Sequence, residues 1–381
     1  MIKKKICIVT AGRSDFSILH PLILKFYNSN IFDTYILVTG NHFDKRFGSS
    51  INDLRIKKNT FNINYSYKNQ NITNISSKIL KKSSEIFKKI KPSILIVVGD
   101  RYEIFSTTFS AYYNSIPIAH LYGGETSLGS LDNYARHAIS NLSSLHFVSN
   151  LKSKKLLEKN DENSDYVFNV GSLGIEHIQK NKNINKKTLE NKFKFKFNKM
   201  NILVAYHPNS IEQHKTKKEI TILLNSIKIL LDKYSNISFI FTAPNADKNY
   251  DIVMREISNF CKRNILCYYV SNFGKNYYPG LLKNIDLIIG NSSSGIIEAH
   301  SVKTYTLNIG NRQKNRYQNK STFNCTFNKV AILKNIIKIL NFKNKNSHFK
   351  LKNIYEKAQT SEIIFKIINN MLKRKIYFKN L

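Results

Sequence analysis

The sequence predicts an α/β chain of two parallel-sheet domains facing a central cleft, and three observations carry that reading. Short β-rich apolar runs alternate with amphipathic stretches, the pattern of a parallel sheet covered by helices. The rhythm stops between Gln179 and Met200, where Lys and Asn crowd out apolar periodicity, and then restarts. Glycine and polar residues collect just after the strand ends, where open α/β sheets bind their ligands. At 381 residues the chain is long enough to bury two separate cores. The expected division is a first domain over residues 1–178, a linker over 179–199, a second domain over 200–352 and a returning helical segment over 353–381.

In the first half, strands are expected at Ile6–Thr10, Tyr35–Thr39, Ile94–Val98, Pro117–Leu121, Leu145–Val148 and Tyr166–Asn169. The basic prefix before Ile6 leads into an apolar run too short for a signal peptide, so the run reads as the first strand. In the second half they are expected at Ile202–Tyr206, Ile237–Thr242, Ile265–Tyr269, Leu287–Ile289 and Tyr305–Asn308. A last helix over about residues 353–373 carries Ile363, Ile364, Ile367, Ile368 and Leu372, so one face must pack on something.

Composition narrows the class. Hydrophobic content of 42% and aromatic content of 12% suit a folded chain rather than a disordered one. No apolar run approaches the roughly 20 residues that cross a bilayer, so no membrane partner and a cytoplasmic location are expected. Cys7, Cys261, Cys267 and Cys325 are scattered without a CxxC pair, which argues against structural zinc and against a disulfide framework. Cys7, inside an apolar strand, reads as core. The formal charge of +35 invites a nucleic-acid reading. However, Lys and Asn are spread everywhere, including ordinary helix faces such as Lys78–Lys91, and no Arg-rich or aromatic-interleaved basic motif occurs. The charge therefore reads as a compositional bias, with attraction of an anionic substrate as a secondary benefit. No nucleic-acid partner is expected.

The stretch Gly290-Asn-Ser-Ser-Ser-Gly295 carries the most functional information. A buried strand runs into small residues and a helix follows, so backbone N–H groups and the helix N-terminus can converge on an anion. Ser292, Ser293 and Ser294 add hydroxyl donors, the run Ser292–Gly295 would cradle the diphosphate, and Glu298 would sit one turn into the helix, where a carboxylate can accept from a sugar diol. A nucleotide or nucleotide sugar has a diphosphate and a diol at that spacing. An ordinary strand–turn–helix corner would look the same. The loops Ala11–Asp15, Gly99–Glu103, Gly123–Glu125 and His207–Ser210 also follow strand ends, and with the serine turn they would ring a cleft.

Taken in order, Gly12-Arg-Ser-Asp-Phe16, Gly99-Asp-Arg-Tyr-Glu103, Ala119-His-Leu-Tyr-Gly-Gly-Glu125, Asp132 with Arg136-His137-Ala138, His207-Pro-Asn209, the serine turn and Asn308-Ile-Gly-Asn-Arg-Gln313 resemble the hydrolysing UDP-N-acetylglucosamine 2-epimerase family. The resemblance runs from about residue 5 to about residue 316. It implies two Rossmann-like domains in the glycosyltransferase-B architecture, with the nucleotide held by the second domain and the sugar in the cleft. It also implies removal of the C2 proton, loss of UDP to leave a glycal, and addition of water to give a free 2-epimerised sugar for sialic or legionaminic acid synthesis. No cofactor and no metal are implied; a UDP-sugar is the expected partner, together with homo-oligomer formation.

The resemblance assigns catalytic positions to Asp100, Glu125, Asp132 and His207, and binding positions to Arg13 and Arg312. Each has an ordinary alternative. Asp100 could pair with Arg101 or cap the helix that begins near Glu103, Asp132 could complement a helix dipole, and His207 could be structural. Arg13 could be a solvated loop charge, and Lys314 and Arg316 offer charge equivalent to that of Arg312. Arg136 and His137 point in different directions from one helix, and His137 is a candidate to buttress the Glu125 loop. One departure is informative: where the family carries a first glutamate, this chain has Tyr122. An aromatic residue there suits a sugar with a 6-methyl and a 4-acetamido group, which favours UDP-2,4-diacetamido-2,4,6-trideoxyglucose over UDP-N-acetylglucosamine. A retaining glycosyltransferase shares the fold, and a non-catalytic nucleotide-sugar-binding protein would account for the missing glutamate. The carboxylates favour proton transfer.

Overall fold

The computed structural model describes residues 3–44, 56, 58–65, 71–160, 163–181, 184–245, 247–342 and 349–374; the end of the expected tail, 375–381, lies outside them. The first half supplies strands β1 (Lys4–Thr10), β2 (Phe32–Val38), β3 (Thr60–Asn62), β4 (Ile94–Val98), β5 (Ile118–Leu121), β6 (Leu145–Val148) and β7 (Val167–Asn169). They form one parallel sheet in the order β3-β2-β1-β4-β5-β6-β7. The second half supplies β8 (Met200–Ala205), β9 (Ile237–Thr242), β10 (Cys267–Val270), β11 (Leu287–Gly290), β12 (Tyr305–Ile309) and β13 (Thr322–Cys325), in the order β10-β9-β8-β11-β12-β13.

Helices cover the sheets. In the first half they are α1 (Arg13–Tyr27), α2 (Ile72–Ile90), α3 (Tyr102–Tyr113), α4 (Asp132–Asn141), α5 (Leu151–Lys159) and α6 (Leu173–Lys180). The remainder are α7 (Lys186–Phe193), α8 (Thr216–Lys233), α9 (Tyr250–Lys262), α10 (Gly274–Asn284), α11 (Ser293–Ile297), α12 (Lys329–Leu340) and α13 (Thr360–Lys373). Among the described residues none is long and apolar enough to cross a membrane.

Sheets buried on both faces need continuous apolar strands, and β4 (Ile-Leu-Ile-Val-Val) is buried at all five positions. In each parallel sheet the order of strand addition reverses beside the first strand, between β1 and β4 and again between β8 and β11. Those reversals are the switch points at which open α/β sheets leave a crevice beyond the strand ends. The loops after β1 and β4 begin with Ala11 and Gly99, and those after β8 and β11 carry His207 and Ser292. Both crevices thus present the sequence-selected loops.

Two further features tie the halves together. The stretch 179–199 contains α7, and Leu189 and Phe195 are buried in a cluster with Leu203, Phe273 and Leu281 of the second half. Helix α13 returns to the first half, where Ile364, Ile368 and Leu372 join the core formed by Leu19, Phe26 and Ile36. Burying such side chains stabilises by about 1.5–3 kcal/mol each, enough to hold the helix in place. Cys7 is buried in the first half's core, and all four cysteines are free.

Candidate active site

A cavity of about 550 Å³ lies between the two halves. Asp100, Glu125, Asp132 and His207 all line it, as do Arg13, Ser292, Ser293, Ser294, Glu298 and Arg312. Gly295 does not. Its missing side chain serves packing instead, since a Cβ there would lie 2.8 Å from Thr306 Cγ2, and the Thr306 hydroxyl donates to its carbonyl at 2.6 Å.

Asp100 sits between β4 and α3, and its partner is not Arg101. Arg101 makes a two-pronged ion pair with the fully buried Glu103, at 3.0 and 3.1 Å. Asp100 pairs instead with Arg136 of α4, through Nη2 on Oδ2. The other prong of Arg136, Nη1, donates to the Glu125 carbonyl at 2.6 Å and to Ser127 Oγ at 3.1 Å. One guanidinium, 3% exposed, therefore fixes two of the candidate acids relative to each other. Arg136, not His137, is the residue that buttresses the Glu125 loop.

The Glu125 carboxylate is buried and held at both ends. Oε1 accepts from Ser149 Oγ at 2.6 Å, and Oε2 pairs with Arg316 at 2.7 Å. Asp132 opens α4, where its charge complements the helix dipole, and its Oδ2 accepts from Ser130 Oγ at 2.9 Å. It also lines the cavity, so the two roles coexist.

His207 leaves β8 beside β11, and its backbone exchanges hydrogen bonds of 2.7 and 2.8 Å with the Asn291 side chain. Its Nδ1 accepts from the Asn245 backbone N–H at 3.0 Å, so in the neutral ring the proton lies on Nε2. Burial, followed by the charges of Arg312 and Arg13, holds its pKa well below the usual histidine value. A neutral imidazole of that tautomer can donate to a phosphate or sugar oxygen.

The serine turn differs in detail from expectation. Gly290 has φ of +128°, and a Cβ there would lie 2.3 Å from the Ala205 carbonyl oxygen, so only glycine fits where β11 meets β8. Helix α11 is only five residues long, and Glu298 is its C-terminal cap. Ser294 donates to Glu298 Oε2 at 2.5 Å and accepts from Tyr278 at 2.8 Å, so its hydroxyl is committed within the protein. The hydroxyls of Ser292 and Ser293 make no hydrogen bond among the described residues. Burial pushes Glu298 up to about 6.

Contacts across the cleft close its rim. Arg13 Nη1 and Nη2 donate to the carbonyls of Ser271 and Ala243 at 2.5 and 3.0 Å, so this arginine joins the halves instead of lying in solvent. Leu131 N–H donates to Ser210 Oγ at 2.9 Å, and Lys275 Nζ lies 3.0 Å from His20 Nε2. Within the second half, Arg312 is 3.8 Å from Asp247 and donates to the Asn291 carbonyl at 3.3 Å. The cavity wall carries seven Arg or Lys and six Asp or Glu, so little of the +35 is concentrated there.

Sequence reasoning passed over Asp15 and Tyr278 as site residues, and left Arg316 as an alternative to Arg312. Asp15 follows Arg13 in the first motif, lines the cavity and is raised to about 6, mainly by burial. Tyr122 has φ of +65°, and its hydroxyl lies 2.9 Å from Ser172 Oγ, the hydroxyl that caps α6. Among the described residues no group of three or more His, Cys, Asp or Glu is placed to hold a metal.

A profile of the family described as UDP-N-acetylglucosamine 2-epimerase matches residues 25–369. The chain belongs to the UDP-N-acetylglucosamine 2-epimerase family. The match continues through the Lys/Asn-rich stretch and into α13, well beyond the residues that carry the motifs. The chain is 35% identical to a Campylobacter jejuni GDP/UDP-N,N'-diacetylbacillosamine 2-epimerase (hydrolyzing), over 86% of both chains. It is 33% identical to the Escherichia coli polysialic acid biosynthesis protein P7, over 87% of this chain and 85% of that one. A UDP-N,N'-diacetylbacillosamine 2-epimerase (hydrolyzing) of Legionella pneumophila is 28% identical over 97% and 96% of the two chains. The fold matches the Neisseria meningitidis UDP-GlcNAc 2-epimerase solved with UDP-GlcNAc, with a TM-score of 0.84 at 20% identity, over 96% of this chain and 100% of that one. That structure shares the two-domain glycosyltransferase-B-like architecture of this family member.

Proposed function

We propose that this family member is a hydrolysing UDP-sugar 2-epimerase that takes UDP-2,4-diacetamido-2,4,6-trideoxyglucose. The observation that carries the proposal is the convergence of Asp100, Glu125, Asp132 and His207 on one cavity that also reaches Ser292, Ser293 and Glu298. Removing a weakly acidic C2 proton while a diphosphate leaves C1 needs a placed base and donors for the departing charge. Asp100, oriented by Arg136, is the candidate base; Ser292, Ser293, neutral His207 and Arg312 surround the departing diphosphate; Glu298 accepts from the ribose diol. Asp132 and Glu125, on other loops of the same wall, serve the return of a proton to C2 and the addition of water at C1.

Two observations support the sugar. Tyr122, at the position where the resemblance leads one to expect a glutamate, places an aromatic ring at the cavity wall, and relatives named for the diacetylated sugar are 35% and 28% identical. Use of the product in sialic or legionaminic acid synthesis follows from the same reading. Incubation with the diacetamido nucleotide and with UDP-N-acetylglucosamine tests it. Release of UDP and free 2-epimerised sugar, faster from the first, is expected; preference for the second reassigns the sugar, and release from neither overturns the enzyme reading.

A further inference from the structure

The first turn of α6 and the short helix α11 belong to different halves but pack together. Ile175 of α6 is buried in one cluster with Ile296, Ile297 and Tyr355. Beside that cluster Gly174 lies against Glu298, and both line the cavity. A Cβ at Gly174 would overlap Glu298 Oε1, whereas its next neighbours, Glu298 Cδ and Ser172 Oγ, would lie at 3.4 Å, the edge of ordinary contact. Gly174 is the second residue of α6 and its φ is not positive, so its backbone does not require glycine. Alanine there would favour the helix. What the position lacks is room for a methyl group beside that carboxylate. Both partners are held in place. Ser172 N–H donates to the Tyr355 carbonyl at 2.8 Å, and Gly174 N–H donates to the Tyr122 hydroxyl at 3.4 Å. On the other side, Tyr278 donates to Ser294 Oγ at 2.8 Å, and Ser294 donates to Glu298 Oε2 at 2.5 Å. Oε1 makes no hydrogen bond among the described residues, so its acceptor capacity is left for a ligand.

We propose that Gly174 is a positioning residue of the nucleotide site: the first half, by omitting a side chain here, seats the Glu298 carboxylate so that Oε1 meets the ribose diol. The inference rests on the reading of Glu298 as the diol acceptor. Ser294 fixes one oxygen, and the side-chain-free turn of α6 leaves the space that the other occupies. The carboxylate therefore needs no rearrangement when the nucleotide arrives, which is how a preorganised site gains affinity. A methyl group at position 174 either turns Oε1 aside or holds α6 away from α11. In both cases the acceptor leaves its place.

Calorimetry with UDP on Gly174→Ala, Glu298→Ala and the double variant tests this as a cycle. Gly174→Ala is expected to weaken UDP binding by about fivefold or more, with a melting temperature within about 3 °C of wild type. On the Glu298→Ala background no carboxylate remains to be displaced, and the same change should cost less than about twofold. Unchanged UDP affinity in Gly174→Ala, or an equal loss on both backgrounds, overturns the proposal. If Gly174→Ala does not fold, adding Glu298→Asp should restore folding, because the shorter acid clears the methyl group; a double variant that stays unfolded also overturns it. If Glu298→Ala alone binds UDP as tightly as wild type, the reading of Glu298 falls and the role of Gly174 falls with it. A weakened Glu298→Ala beside an unaffected Gly174→Ala removes the role of Gly174 alone.

Discussion

Replacing Arg136 with methionine keeps a long side chain in place but removes both prongs of the guanidinium. Three hydrogen bonds go with it: to Asp100, to the Glu125 carbonyl and to Ser127. Removing one partner of a buried ion pair costs about 3–5 kcal/mol. The Asp100 side chain is 20% exposed, which lets water recover part of that, and about 2–3 kcal/mol is the reasonable share. The stranded Glu125 carbonyl adds roughly 1 kcal/mol. A total of about 3 kcal/mol lowers the melting temperature by about 6–12 °C if the first half unfolds as a unit. Activity should fall further than stability implies, by about 10²-fold or more in kcat, because two acids lose their mutual placement. UDP affinity, measured by calorimetry on the folded variant, should stay within about twofold, since the proposed nucleotide contacts come from the second half. Arg136→Lys should recover some stability but little kcat, because one ammonium cannot fork between Asp100 and the Glu125 carbonyl. A methionine variant with kcat within tenfold of wild type and an unchanged melting temperature would refute the reasoning.

Glu298→Gln should weaken UDP binding by about 1–3 kcal/mol, because hydrogen bonds to a charged acceptor are the strong kind. With Glu298 raised to about 6, the wild-type advantage over this variant should shrink as pH falls through 6, and a calorimetric ratio flat from pH 7 to 5 would remove Glu298 from the diol. The same shift means the folded state holds a proton that the unfolded chain has lost between about 4.5 and about 6, so the stability contribution of this group falls as pH rises across that window. Tyr122→Glu, which puts a carboxylate at this point of the cavity wall, should move the ratio of kcat/KM toward UDP-N-acetylglucosamine, and an unmoved ratio would detach Tyr122 from sugar choice.

Much of the fold was legible because buried parallel strands are continuous apolar runs. Ile94–Val98, Leu145–Val148 and Ile237–Thr242 begin and end where the sequence places them. The edge strands Thr60–Asn62 and Thr322–Cys325 escaped notice, since a half-exposed edge tolerates Thr and Asn and loses the apolar signal. Helix α7 escaped for a related reason: Leu189 is its only buried residue, among three lysines and one asparagine. At the site, the loops were legible from glycine and polar residues after strand ends. The pairings were not, because they join distant positions. Asp100 reaches Arg136 rather than its neighbour Arg101, and Arg13 spans to carbonyls on the other half. Ser294 could be read as a donor, but not that a carboxylate of its own turn would take the bond.

The central claim is that UDP leaves by elimination across C1 and C2, with the C2 proton exchanged on the way. Turning over the diacetamido sugar nucleotide with wild-type protein in heavy water tests it most directly, with the free sugar read by NMR and mass spectrometry. The account predicts one deuterium at C2 of the epimerised product, and loss of both UDP release and deuterium incorporation in Asp100→Asn that still binds UDP. UDP release into a product that keeps its original hydrogen and configuration at C2 would contradict it, and would point to simple hydrolysis or glycosyl transfer instead.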